Sequence, residues 1–492
     1  MTRDLLEDGR TLWIIAALIV VLFAIANWPW QLDDYDQAKQ AFTSFEMVKE
    51  GHWLYQHTPH GRVATKPPLV GWMSAALFVV TRSWEIAWRF PSFVAALALA
   101  FVLFRAANDA YGRIAAVIAV SAFGLNLLSP RLATLVRTDM PLALVIFLIG
   151  LLIWQKIRER DEWKLRDQVY VFVLLTAAML IKGPIVYAFL LPGIAVNVVA
   201  VALWATSTPA TARRLQVWPG WWPWVASLAI FLIWVAGGIR FQAGFYEEVV
   251  MREFVGRFGE TIHRPQPFLF YLPHLLHKFA PWSVLIIAVA LFDLRSRSWR
   301  WRSVFREMSP ETFWLFSWSI GGLIVMSLIP SKRVDRIFPV IPPLCLLLAA
   351  QISGRDAALS RKPAEVGAAR RSYLWTTAAL ACAILFTGGY TGWKVMTGYR
   401  DHRNELAIFG RNVRREVEAH HWRYEVVSAK DEGLLLYLRK THFVEPGDAI
   451  TEWNAGNLDA LVASQEKATI LARDLKGAAL SQQGRGYVLI TR

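Results

Sequence analysis

Three clusters of polar residues stand at the ends of long apolar runs, and their side-chain types could do chemistry. The first lies in Gln31–Lys66, which holds Asp33, Asp34 and Asp36, then Glu46, Gly51-His52-Trp53 and Thr65-Lys66-Pro67-Pro68. A carboxylate there is ionised at neutral pH and can take a proton from a hydroxyl. A lysine nearby can stabilise charge that develops on a phosphate oxygen. Charge alone favours the plainer reading that acidic residues mark a hydrated loop. The second cluster is Thr138-Asp139-Met140-Pro141, where Asp139 can act on a substrate or cap the helix that follows. The third is basic, Ser331-Lys332-Arg333 with Arg336, and suits an anion or a lipid headgroup. Glu253, Arg257 and His263 form a looser group, and Lys182 lies inside an apolar run, where a charge is a functional hypothesis unless it snorkels.

The surrounding elements are membrane helices. Of 492 residues, 55% are hydrophobic and 18% charged, with 24 Trp. Trp is favoured at membrane–water interfaces. The net charge of +15 sits in short linkers between apolar runs, which argues against a nucleic-acid partner. The two cysteines, Cys345 and Cys382, both fall in apolar runs and support neither a disulfide framework nor a thiolate metal site. Thr11–Trp28 reads as a first transmembrane helix, not a cleaved leader. Ten further runs follow, several below the roughly 20 residues a bilayer requires. Five basic linkers, 105–113, 156–167, 207–217, 295–306 and 355–371, are separated by pairs of runs and so face the cytoplasm together. Parity then makes Pro67–Val80 a hairpin or interfacial helix and leaves about eleven spans.

The same parity places 31–66, 130–139, 240–273 and 330–336 outside. The chain divides into a transmembrane domain over 1–391, with external loops 31–66 and 240–273, and an extracytoplasmic α/β domain over 392–492. In the latter, Asp401–His420 reads as an amphipathic helix, and Glu425–Ala429, Thr469–Ala472 and Tyr487–Thr491 read as strands.

With the elements placed, the motifs form a recognisable order. Asp36-Gln37-Ala38-Lys39, Glu46-Met47, Gly51-His52-Trp53 and Lys66-Pro67-Pro68 resemble the first external loop of the GT-C glycosyltransferases. The similar branch holds the protein O-mannosyltransferases and the lipid A aminoarabinose transferases. Thr138-Asp139-Met140-Pro141-Leu142, Lys182-Gly183-Pro184, Arg252-Glu253-Phe254 through His263-Arg264, and Ser331-Lys332-Arg333 through Pro339 continue the resemblance across most of 11–352.

The resemblance implies a GT-C fold and an inverting transfer of a sugar from a polyprenyl-phosphate carrier to a hydroxyl. The acceptor would be lipid A, lipopolysaccharide or another envelope glycan, at the outer face of a bacterial inner membrane. It implies Asp36 as the base, Lys66 as the partner of the leaving phosphate, and Asp139 as a positioning acid. Lys332, Arg333, Arg336, His263, Arg257 and Glu253 are then substrate-binding candidates. The donor, the lipid or glycan acceptor and membrane lipids are the expected partners. The positions that the family associates with a divalent metal are Thr65 and Phe254 here, so that metal site is expected to be absent. Arg336 replaces the family's tyrosine and would suit an additional negative charge. A protein Ser/Thr acceptor is the alternative substrate. A lipid or sugar transporter or flippase is the alternative activity, although transporters place their charges near the membrane midplane in repeated halves.

Overall fold

The computed structural model describes residues 8–32, 35–204, 217–258, 265–296, 299, 304–305, 308–359, 363–427, 429, 432–484 and 486–492. They fall into two compact units. One contains Met1–Ala26, Arg89–Phe241 and Phe245–Gly392; the other contains Asn27–Trp88, Gln242–Gly244 and Trp393–Arg492.

The first unit is helical, as an apolar surround demands, because only a helix or closed barrel satisfies its own backbone there. Among the described residues, six helices are long and apolar enough to cross a membrane: Trp84–Tyr111, Asp139–Glu159, Trp222–Phe241, Pro310–Leu328, Val334–Ser353 and Leu374–Arg400. A seventh is counted if Phe268–Lys278 and Trp282–Arg295, bent by 102°, act as one span. Gly9–Ile25, Arg113–Gly124 and Ile185–Ala200 are shorter apolar helices. Trp222–Phe241 leaves Val225, Leu232 and Ile233 exposed, an apolar face suited to lipid. By contrast, Asp139–Glu159 buries Met140, Leu142, Ile146, Phe147 and Trp154 in the middle of the unit.

Close packing inside that unit depends on glycine. A Cβ on Gly321 would stand 2.6 Å from the Gly193 nitrogen, and one on Gly193 would stand 2.7 Å from the Trp318 Cα. The Ile185–Trp204 and Pro310–Leu328 helices therefore touch backbone to backbone, the usual way in which small residues bring membrane helices together.

In the second unit, Tyr35–Glu50 and Leu69–Thr81 are helices that meet where a Gly71 Cβ would lie 2.5 Å from the Met47 methyl. The expected hairpin or interfacial segment at 67–80 is thus a single 13-residue helix, short for a crossing at 1.5 Å per residue. Beyond Trp393 the chain forms Glu405–His420 and a four-stranded sheet of β1 (Tyr424–Val426), β2 (Ala460–Ser464), β3 (Ala479–Gly484) and β4 (Tyr487–Thr491). The order is β1-β2-β4-β3, with β1 and β2 parallel and the other pairs antiparallel. Leu461 lies opposite Ile490 and Ala463 opposite Val488, so alternate residues of the central strands reach one core with Trp453.

Two expectations for this region need correction. Thr469–Ala472 is not a strand but part of the Gln465–Asp474 helix, capped by the Ser464 hydroxyl accepting from the Lys467 N–H. Its apolar run follows helical spacing, since Ala468, Leu471 and Leu475 are the buried positions. Strands β2 and β3 also stand where none was expected. In β3 the sequence ALSQQG is mostly exposed, so its edge position leaves no apolar alternation to read.

The glycine contacts carry a test. Gly321→Ala should destabilise the folded protein in detergent by about 1–3 kcal/mol through overpacking. Gly388→Ala, inside a helix and with nothing within 4 Å, should not lower the melting temperature. Tryptophan-fluorescence melting of both variants checks the contrast, and equal melting temperatures would refute the backbone contact.

Candidate functional site

In the second unit, Asp36 occupies the first turn of the Tyr35–Glu50 helix and is partly buried. An acid near a helix N-terminus is stabilised in its charged form, the form a base needs. Asp33 and Asp34 lie outside the described residues. Lys39, one turn after Asp36, donates from Nζ to the Thr65 hydroxyl at 3.3 Å. That bond ties the helix start to the residue before Lys66, which is itself partly buried. Backbone bonds from Thr58 N–H to Arg62 O and from Ala64 N–H to Gln56 O, each 2.7 Å, fold the connecting segment back on itself. The buried Pro67 and Pro68 then turn the chain into its next helix.

The C-terminal region grips the segment that leads into Asp36. The Leu32 N–H donates to the Tyr437 hydroxyl at 2.9 Å, and the Leu406 N–H donates to Gln31 Oε1 at 2.8 Å. A Gly433 Cβ would lie 2.3 Å from the Leu32 carbonyl oxygen, so the Glu432–Leu438 helix touches that backbone directly. Burial pushes the Glu432 carboxyl above the usual range, and Lys39 and His60 pull it back.

Elsewhere in the same unit, buried Glu46 meets two histidines. Glu46 Oε1 pairs with His52 Nδ1 and lies 3.3 Å from His57 Nδ1. His57 Nε2 lies 3.2 Å from Gln242 Oε1. Burial raises the Glu46 carboxyl, and the two histidines oppose that shift. Among the described residues, these three could hold a metal ion, with ligand atoms all within 4.8 Å of one another. Sequence reading noted Glu46 and His52 as motif residues and missed His57; the available signal was the spacing Glu-x5-His-x4-His.

In the first unit, Asp139 lies in the first turn of Asp139–Glu159 and is 5% exposed. Thr138 holds the cap position and makes no side-chain cap bond, so Asp139 is not the N-cap that its setting suggested. It pairs instead with Lys182 Nζ at 2.5 Å. Lys182 ends its helix, and Gly183, at φ +73°, turns the chain there; a Cβ would meet the Phe254 ring at 3.1 Å. The apolar-run lysine is thereby explained as a partner for a buried acid.

Beside it, Arg137 donates to Asp335 Oδ2 at 2.7 Å, both buried, and Arg131 approaches Asp335 Oδ1 at 3.8 Å. Lys332 is buried and donates to Gln266 O at 2.9 Å, and burial lowers the affinity of its amine for a proton. Arg336 donates to Ser331 O at 2.6 Å, and its N–H to Arg333 O at 3.1 Å, so the three basic residues share one tight turn. The Tyr271 hydroxyl is within electrostatic reach of both Arg336 and Asp139. This cationic excess, set among buried groups, suits an anion.

The remaining candidates do not join these clusters. Glu253, half-buried, belongs to the π-helical Tyr246–Phe254, and Arg257 ends the short Val255–Arg257 turn. His263 lies outside the described residues. At the family's metal positions, Phe254 packs edge-on against Phe231 with ring centroids 5.7 Å apart, and the Thr65 hydroxyl accepts from Lys39. Neither arrangement supplies a ligand set.

Residues 65–237 match the dolichyl-phosphate-mannose-protein mannosyltransferase family. The structure is similar to that of ArnT from Cupriavidus metallidurans bound to undecaprenyl phosphate, with a TM-score of 0.69 and 18% identity over 97% of each chain. The chain shares the fold of that protein. It is also 27% identical to the undecaprenyl phosphate-alpha-4-amino-4-deoxy-L-arabinose arabinosyl transferase 1 of Sodalis glossinidius, over 72% of its own length and 61% of the relative. It is 26% identical to the corresponding transferase of Pectobacterium carotovorum, over 76% of its own length and 65% of the relative. The match thus spans about six-tenths of the curated relatives' length. The archaeal oligosaccharyltransferase AglB from Archaeoglobus fulgidus shares the fold more distantly, with a TM-score of 0.51.

The buried Arg137–Asp335 ion pair carries a stability prediction. Asp335→Ala strands Arg137 in a dry setting and should cost about 3–5 kcal/mol. Arg131→Ala removes a longer, half-exposed contact and should cost less than about 1 kcal/mol. Thermal unfolding in detergent separates the two, and similar losses for both would show that burial does not set the energy.

Proposed function

We propose that this chain is an inverting glycosyltransferase that moves a sugar from a polyprenyl-phosphate carrier to a hydroxyl of an envelope glycolipid. The observation that carries the reading is the Lys39–Thr65 bond, which ties the turn bearing Asp36 to the residue before Lys66. A base and a cation held by one short tether fit a reaction that needs both. The Asp36 carboxylate takes the acceptor's proton as its oxygen attacks the anomeric carbon. The bond from that carbon to the phosphate oxygen breaks, and polyprenyl phosphate leaves with the bonding pair. Lys66 stabilises the charge gained by the leaving phosphate, which needs little protonation. Asp139 holds Lys182, and Lys332, Arg333 and Arg336 form an anion-binding turn for a phosphate of donor or acceptor. His263, Arg257 and Glu253 are retained as substrate contacts.

The relatives' names point to an undecaprenyl phosphate carrier and a 4-amino-4-deoxy-arabinose or related pentose as the donor. Lipid A or another lipopolysaccharide component is the acceptor class. The reaction takes place at the periplasmic face of a bacterial inner membrane, with the 31–66 loop and the C-terminal domain on that side.

Purified protein, an undecaprenyl-phosphate sugar and lipid A provide the test, read by mass spectrometry of the product. Asp36→Asn should lower transfer by about 10²–10⁴-fold at unchanged melting temperature. Lys66→Met should lower it too. Equal transfer by wild type and Asp36→Asn would discard the assignment.

A further inference from the structure

The cluster of Glu46, His52 and His57 is used by none of the steps above. It consists of two imidazoles and a carboxylate from one short stretch of chain, with ligand atoms all within 4.8 Å of one another. Imidazole and carboxylate together suit zinc and neighbouring divalent transition metals, whereas calcium and magnesium take oxygen ligands. Two ligand atoms of one tetrahedral zinc, each about 2.0–2.1 Å from the ion, stand roughly 3.4 Å apart. His57 Nδ1 and Glu46 Oε1 stand 3.3 Å apart, whereas His52 Nδ1 is in direct hydrogen-bond contact with the same oxygen and must draw back to share an ion.

Two features separate this cluster from an ordinary hydrogen-bonded histidine pair. Glu46 is only 3% exposed, yet its Oε2 has no hydrogen-bond partner. A buried carboxylate oxygen left in that state is costly unless a cation or proton meets it. The second feature is the tautomer of His57. With Nε2 donating to Gln242 Oε1 at 3.2 Å, the neutral ring turns its Nδ1 lone pair toward Glu46. That lone pair lies 3.3 Å from a carboxylate oxygen, where a positive centre, either a metal ion or a second ring proton, holds the two together. A metal-bound histidine characteristically donates its other N–H to an oxygen that fixes the ring, which is the part Gln242 plays here.

We infer that Glu46, His52 and His57 bind one divalent transition-metal ion of the zinc class, with Gln242 orienting His57. The His52 side chain is 47% exposed, so solvent reaches the cluster and water supplies the fourth ligand. The ion acts as a clasp. It joins Glu46, near the end of the Tyr35–Glu50 helix, to the 51–57 loop. His57 bridges to Val63, three residues before Lys66, so the clasp also limits where Lys66 can lie. The site uses neither Thr65 nor Phe254.

The test uses full-length, tag-free protein in detergent, stripped with chelator, incubated with ZnCl2 and desalted. Elemental analysis should then find about one zinc per chain, and the His52→Ala/His57→Ala double variant should lose it. X-ray absorption of the zinc-loaded wild type should show two imidazoles in the first shell, a readout that does not depend on how the variant folds. Zinc no higher than in a buffer control, a first shell without imidazole, or full retention by a folded double variant would each overturn the site. None of these measurements involves sugar transfer, so failure here leaves the proposed reaction standing, and failure there leaves the clasp standing.

Discussion

In an apolar surround, a backbone amide without a partner costs several kcal/mol, and a continuous helix is the cheapest way to pair them all. Polar chemistry is then confined to places where helices begin, end or break. The candidate residues of this chain follow that rule closely. Asp36 and Asp139 sit in first turns, Lys182 ends its helix, and Lys332 and Arg333 lie between Pro310–Leu328 and the turn that follows. Each such position has spare backbone donors or acceptors and an end of the helix dipole, so a charge there is supported locally before any ligand arrives.

Burial decides which of these charges need company. Asp139 and Asp335 are almost fully enclosed, and each has a cation within 2.7 Å. An unpaired carboxylate in such a place would take up a proton or destabilise the fold. Asp36 and Lys66 are only partly buried. The difference between these two sets of charges is thus a difference in solvation, more than in residue type.

The C-terminal segment and the Asp36 loop fold as parts of one unit. Tyr437, Gly433 and Leu406 all meet Gln31 or Leu32, directly ahead of the helix that carries Asp36. A loop with many polar groups and few apolar ones would order itself poorly. Bonds from a domain with its own core, built on Trp453, Leu461 and Ile490, supply the missing constraint. The late part of the chain therefore has a structural reason to exist, whatever else it binds.

Much of this was legible in the residues. Apolar runs and basic linkers sufficed for a helical membrane protein, and the order Asp36, Glu46, His52, Lys66, Asp139, Lys332 carried its resemblance to the GT-C glycosyltransferases, because hydropathy and spacing are local properties. What needed the tertiary structure was every pairing across a distance. Lys182 is 43 residues from Asp139, and Asp335 is 198 from Arg137. No periodicity links such positions. His57 looked like any loop histidine until Gln242, 185 residues away, fixed its ring beside Glu46. The edge strand β3 and the helix at 465–474 were misread for a related reason, since their conformations follow from what covers them. Sequence by itself determined that the chain is built on apolar helices and which polar residues flank its apolar runs. Only folding decided which of those polar residues neutralise one another, because that depends on through-space distance and on how much water remains.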